Sequence, residues 1–217
     1  MPPLRVRVLP RRATVMYDYI YADNAAVYLE QFVYRRFSSL TSGMSFDALN
    51  VINRVNEFFS VIDAEIKKRF RLIILYYFYR VYPEARISPA VEPLLETLLS
   101  GYDPVSGYVF KNEFERRRAI LIEALISKGT ADERVIKSAS RALSLMVRTY
   151  VIRAADEAIL FAYTGRGVTR VKWLSAPDAR TCGVCAARNG KRYLLSELPS
   201  KPHMNCRCRI VPCSDRV

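Results

Sequence analysis

Apolar residues recur at steps of three and four through the first 165 positions, the spacing that gathers side chains on one face of an α-helix. Ala25, Leu29, Phe32 and Arg36 keep it, and a longer series runs Val55, Phe58, Ile62, Ile66, Phe70, Ile73, Tyr77, Val81. That series predicts one helix from Asp47 to Tyr82, roughly 50 Å long at ~1.5 Å per residue. Pro83 ends it, because a proline disfavours helical backbone in the residue before it. Ser88 and Pro89 predict an N-cap and first turn for a short helix reaching Ser100, followed by a loop over GYDPVSG (101–107). A further helix is expected from Val109 to Ser127, stopped by Gly129. Thr130 and Glu133 have the spacing of a capping box for the next one. Along that last helix Leu143, Val147, Tyr150, Ala154, Ala158 and Phe161 trace one stripe, closed by Gly165 and Gly167. Stripes of this kind are core positions between antiparallel helices.

After Gly167 the period changes from helical to alternating. Val168, Arg170, Lys172 and Leu174 interleave with Thr169, Val171, Trp173 and Ser175, which predicts a strand with Val171 and Trp173 inward. Asn189-Gly190 signals a hairpin into a strand at Lys191–Leu195, and Cys206 to Val211 suits a last strand. The expected fold class is therefore α+β: a mainly α-helical N-terminal region of long antiparallel helices, then a small C-terminal β-containing Cys/His module. The natural divisions are 1–110, 111–167 and 168–217. A tail of some fifty residues buries little core by itself and needs a staple.

Length and composition narrow the function. The chain has 217 residues, half of them apolar and a quarter charged, which excludes disordered and collagen-like classes. The net charge is +13, and residues 164–217 carry 11 lysines and arginines against 3 carboxylates. Such a surplus implies a polyanionic partner, nucleic acid before anionic membrane. The longest strongly apolar run, Leu72–Tyr79, is far below the roughly 20 residues that span a bilayer. MPPLRVRVLPRR at the start lacks the apolar centre of an export signal, so a cytosolic protein with no membrane association is expected. The KKRFR (67–71) and ERRR (115–118) clusters have acidic neighbours and read as solvated helix faces.

All five cysteines fall between Cys182 and Cys213, and the one histidine, His203, lies among them. The spacing is Cys182-x2-Cys185, seventeen residues, then His203-x2-Cys206-x-Cys208. Gly183 permits a knuckle that turns two thiolates toward one ion, and residues two apart on a strand put Cys206 and Cys208 on one face. Tetrahedral zinc takes four N/S ligands, so Cys182, Cys185, His203, Cys206 and Cys208 are five candidates for a structural zinc site. Two other readings stand beside it: a Cys182–Cys185 redox pair, for which no thioredoxin-like strand–helix alternation is present, and reduced cysteines without a ligand. Cys213 lies outside the spacing and reads as a small packed residue. Lys191, Arg192, Lys201, Arg207 and Arg209 are candidate phosphate contacts; with no base-reading helix in view, their binding would be non-specific and salt-sensitive. Arg180, Arg188, Arg207 and Arg209 also serve to offset thiolate charge. No paired acid and base is placed for turnover, so no catalytic residue and no small-molecule substrate is assigned.

The ordered residues Trp173, Asp178, Arg180, Thr181, Cys182, Cys185, Gly190, His203, Cys206, Arg207 and Cys208, preceded by RTYVIRAADEAILFAYTGRG, resemble a known pattern. The segment from about Arg148 to Pro212 is similar to the C-terminal domain of phage Mu F-like minor head proteins, also known as phage head morphogenesis proteins. Residues 111–167 would then be helices leading into that domain, and residues 1–110 carry no matching motif. The resemblance implies a virion protein that associates with portal and capsid proteins, assists head assembly and contacts packaged double-stranded DNA. Two positions depart from the pattern: Tyr150 stands where the family has a glutamate, and Met204 follows His203 where proline is common. The alternatives are a stand-alone zinc-dependent nucleic-acid-binding protein and, less well supported, a thiol or metal-dependent enzyme.

Overall fold

The computed structural model describes residues 19–83, 85, 89, 91–100, 102–103, 108–177, 179–203 and 206–213. Five helices make up its larger part: α1 (Ile20–Leu40), α2 (Ala48–Val81), α3 (Val91–Leu99), α4 (Phe110–Lys128) and α5 (Glu133–Gly165). Then come β3 (Arg170–Leu174), the short helix α6 (Gly183–Arg188), β4 (Arg192–Leu194) and β5 (Arg209–Pro212). Strands β1 (Tyr102–Asp103) and β2 (Tyr108–Val109) form a two-residue ladder; β1 lies inside the segment expected to be a plain loop, and β2 takes Val109, the expected first residue of the following helix. The fold is α+β. Ser88, the expected cap of α3, and Asp178 and Met204 lie outside the described residues.

Helix α2 follows its apolar series closely: Val55, Phe58, Ile62, Ile66, Phe70, Ile73, Tyr77 and Val81 are all buried. Asp47 caps it by accepting a hydrogen bond from the Asn50 N–H at 2.9 Å. The next cap differs from expectation. Asp132, not Thr130, caps α5 through the Arg134 N–H at 2.8 Å, and Glu133 turns outward to Lys137 at 2.6 Å. A carboxylate next to the first turn is the stronger acceptor and favours the helix dipole, so it displaces the hydroxyl two residues earlier.

Helices α1, α2 and α5 pack against one another, and α4 covers α2 and α5. Phe37 meets Phe58, and Tyr77 Oη accepts from the Ala22 N–H, so α1 runs antiparallel to α2. Arg148 reaches Glu30 while Tyr19 reaches Asp156, so α1 is also antiparallel to α5. The two longest helices run in the same direction: Phe78 lies against Phe161, and Arg166 Nη1 donates to the Val81 carbonyl at 2.8 Å. The chain makes this possible by returning through α3, β1, β2 and α4 between them. Aromatic pairs such as Phe59–Phe114, at 4.9 Å between centroids, fill the seam where α4 joins.

The C-terminal sheet has the order β4–β3–β5, antiparallel throughout, with Trp173 opposite Ile210 and Lys172 opposite Arg192. Val171 and Trp173 point inward and are fully buried, as the alternation requires. Asn189-Gly190 does not join two adjacent strands. It closes α6, with Gly190 at φ 78°, and the Gly190 N–H donates to the Trp173 carbonyl at 2.8 Å before β4 begins. The dipeptide supplies the left-handed turn that its residues favour, in a helix-to-strand connection.

The cap assignment is tested by urea unfolding. Asp132→Ala is expected to cost about 1 kcal/mol, and Thr130→Ala less than ~0.5 kcal/mol; the reverse order would restore the capping box. A second expectation concerns alkaline pH. Burial, followed by the neighbouring Asp156 charge, holds the Tyr19 phenol well above its ordinary value. The unfolded phenol ionises near pH ~10 while the folded one keeps its proton, so stability is intact below that point and falls as pH rises above it. Tyr19→Phe should flatten this alkaline slope relative to the parent chain, while lowering stability at neutral pH by about 1–3 kcal/mol through loss of the Asp156 hydrogen bond.

Candidate metal centre

Cys182 has extended backbone and stands at the N-cap of α6, where its Sγ accepts from the Cys185 N–H at 3.4 Å. This brings Cys182 and Cys185 onto one side of a single turn. The chain then passes through β4 and a 3₁₀ turn at Leu195–Glu197 before returning with His203, Cys206 and Cys208. The expected strand through Cys206 is not formed: β5 starts at Arg209, and Cys206 to Cys208 lies outside the ladder. The facing argument still holds, since Cys206 and Cys208 are buried and Arg207 between them is exposed.

The ligand atoms converge on Cys185. Cys182 Sγ, Cys185 Sγ and a His203 ring nitrogen lie within 4.8 Å of one another, as do the sulfurs of Cys185, Cys206 and Cys208. Cys185 Sγ is 3.5 Å from His203 Nε2 and 3.6 Å from Cys206 Sγ. A tetrahedron with metal–sulfur bonds of about 2.3 Å and a metal–nitrogen bond of about 2.0 Å has edges of ~3.8 Å between sulfurs and ~3.5 Å between sulfur and nitrogen. The two separations from Cys185 fit those edges. All five cysteines are free thiols, with no disulfide between Cys182 and Cys185.

Electrostatics favour a cation at this point. Burial, together with the adjoining thiols, pushes the Cys185 proton affinity up, and burial does the same at Cys206. The Cys185 backbone N–H holds the Cys182 thiol below its ordinary value. Clustered thiolates would repel one another in so confined a space; a bound cation removes that cost and displaces their protons. Cys/His residues 182, 185, 203, 206 and 208 thus form a group that could hold a metal ion. Cys213 belongs to neither subset; it is half-buried, and its N–H donates to the Arg170 carbonyl at 2.9 Å.

The basic candidates divide by position. Lys191 and Arg192 are exposed on β4 and the turn leading to it. Arg207 is exposed and Arg209 half-buried, with its guanidinium 6.0 Å from the Tyr19 ring centre. Lys201 differs: its ammonium lies 2.6 Å from Asp156 Oδ2, both side chains nearly enclosed, and also reaches the Cys206 carbonyl at 3.5 Å. A lysine committed to a buried carboxylate is not free for phosphate, so Lys201 acts inside the fold. Arg188 also turns inward, over the Trp173 ring at 5.0 Å and onto the Ser200 carbonyl at 2.7 Å.

The Asp156–Lys201 pair, joined by the Tyr19 hydroxyl, connects α1, α5 and the loop just before His203. It was not anticipated from the sequence. The available signal was Asp156-Glu157 inside an otherwise apolar stretch of α5, where both carboxylates are buried. Among the described residues no helix is long and apolar enough to cross a membrane. No protein family matches the chain, and neither a curated protein nor a solved structure matches it significantly.

Because Cys185 belongs to both ligand subsets and joins them, Cys185→Ser should abolish metal binding. Elemental analysis of the purified parent chain is expected to find about one metal ion per chain. Single substitutions at Cys182, His203, Cys206 and Cys208 will then show which position is dispensable. Full metal retention by Cys185→Ser would contradict the geometry.

Proposed function

We propose that the chain is a minor head protein of the phage Mu F-like type, carried in the head or at the portal vertex of a tailed virus, with structural zinc at the Cys/His centre. One observation carries this reading: the ordered series Trp173, Asp178, Cys182, Cys185, His203, Cys206, Cys208, in which the five Cys/His side chains also converge in space. The helical part would supply the surface that docks on portal and capsid proteins. Zinc is favoured over other ions by the thiolate-rich donors and near-tetrahedral edges, and by a role that requires no redox change. A closed four-ligand shell leaves no open position for turnover, which suits a staple and not an enzyme.

Contact with double-stranded DNA draws support from the sheet. Arg170, Lys172, Arg192 and Arg209 fall on one face by register, with Lys172 directly opposite Arg192. Like charges placed opposite each other across a ladder are unfavourable, and phosphates from a polyanion would relieve them. Nothing in this arrangement reads base edges, so affinity should fall steeply with salt and vary little with sequence.

Co-expression with the portal and capsid proteins of the same virus tests the reading. The chain should copurify with assembled heads, and Cys185→Ser should reduce its incorporation at least several-fold. Its absence from purified heads would remove the assembly role; sequence-selective DNA binding that persists at moderate salt would favour the stand-alone regulator instead.

A further inference from the structure

A cleft of about 870 Å³ opens where the start of α1 and the middle of α5 face the Cys/His module. Four arginines from three stretches of chain line it: Arg148 on α5, Arg180 ahead of α6, and Arg207 and Arg209 in the segment that runs from the candidate ligands into β5. Among the described residues one carboxylate, Asp23, shares the lining. Arg148 is held in place by Asp23 at 3.7 Å and by Glu30 at 3.4 Å, and Arg209 rests against the Tyr19 ring. Two of the four cations are thus fixed before any ligand arrives, which lowers the cost of ordering them.

The remaining lining is largely apolar. Ile152, Leu174, Ala176 and Pro177 supply a floor beside the guanidinium groups. Ser175 and Asn189 stand at the edge, joined by a hydrogen bond of 3.0 Å from the Ser175 N–H to Asn189 Oδ1. The volume lies within the range of small-ligand sites and far exceeds what one inorganic ion needs. Guanidinium groups recognise phosphate through paired N–H donors, where lysine offers only a point charge.

We propose that this cleft binds vicinal phosphate groups, carried by a nucleotide or by a nucleic-acid strand, with the attached sugar and base on the apolar floor. The floor decides between phosphate ligands and acidic peptides, because a run of carboxylates has no flat group to cover it. The cleft shares only Arg209 with the sheet face proposed above to meet double-stranded DNA, and it does not rest on that reading. Its failure would leave incorporation into heads untouched.

The experiment is calorimetric titration of the full metal-loaded chain at low ionic strength with pyrophosphate, a nucleoside diphosphate and a short single-stranded oligonucleotide. Pyrophosphate should bind saturably, and R207Q and R209Q should each weaken it about tenfold or more through loss of charge-assisted bonds. K68Q, which removes an exposed charge on α2 outside the cleft, should leave it within about twofold, as expected for a local site and not a diffuse field. R209Q lies outside the ligand spacing and serves even if R207Q disturbs the metal centre. The nucleoside diphosphate or the oligonucleotide should bind more tightly than pyrophosphate, and the tighter of the two identifies the source of the phosphates. Absence of saturable binding, equal losses in K68Q and R209Q, or displacement of pyrophosphate by a glutamate-rich peptide at lower concentration would each overturn the proposal.

Discussion

Residues 168–213 carry a sheet whose strands are five, three and four residues long, and a sheet of that size does not close on itself. What gathers it is the convergence on Cys185. The turn at Cys182–Cys185 comes from the segment between β3 and β4, and His203, Cys206 and Cys208 come from the segment between β4 and β5. Joining these two crossings fixes the order of the three strands and leaves Trp173 enclosed beneath them. A metal bound by thiolates contributes folding free energy directly, on the order of 10 kcal/mol in small domains of this kind. Among the described residues the buried aliphatic and aromatic side chains of this part are Val171, Trp173, Ile210 and Val211.

The module is not an independent appendage. Trp173 and Val171 belong to the same continuous core as α5, and the Tyr163 hydroxyl donates to the Ile210 carbonyl at 3.2 Å. The Asp156–Lys201 pair adds a second connection that is specific in partner and position. Taking two charges out of water costs several kcal/mol per ion, and mutual attraction with good hydrogen bonding offsets it only in one geometry. Such a pair contributes little net stability but penalises any docking in which the loop before His203 is misplaced. Removing either partner alone would leave an uncompensated buried charge.

The helical architecture was readable because a period of 3.6 residues sustained over eight apolar positions in α2 has few alternatives. The strand at Val171 and Trp173 was readable for the same reason at period two. Other features depended on competition that a linear pattern does not express. Thr130 and Asp132 are both acceptable caps, and the choice turns on which side chain reaches an N–H in three dimensions. Asn189-Gly190 favours a left-handed turn wherever it occurs, so it marked a turn but not the helix inserted before it. Cys206 and Cys208 were correctly placed on one face although the ladder begins one residue later. Lys201 was misread because a lysine among basic neighbours looks solvent-facing, and its partner, Asp156, lies 45 positions away in a helix. The parallel course of α2 and α5 likewise follows from the intervening elements and not from either stripe.

Trp173 is the single tryptophan and lies inside the module, whereas the helices dominate far-ultraviolet dichroism. Chelator titration followed by both signals therefore separates the two parts of the molecule. Loss of the ion should red-shift and expose the Trp173 emission while most of the helical signal persists, and restoring zinc should reverse the change. A purified chain without bound metal, whose Trp173 emission is blue-shifted and indifferent to chelator, would show that the fold of residues 168–213 does not depend on an ion.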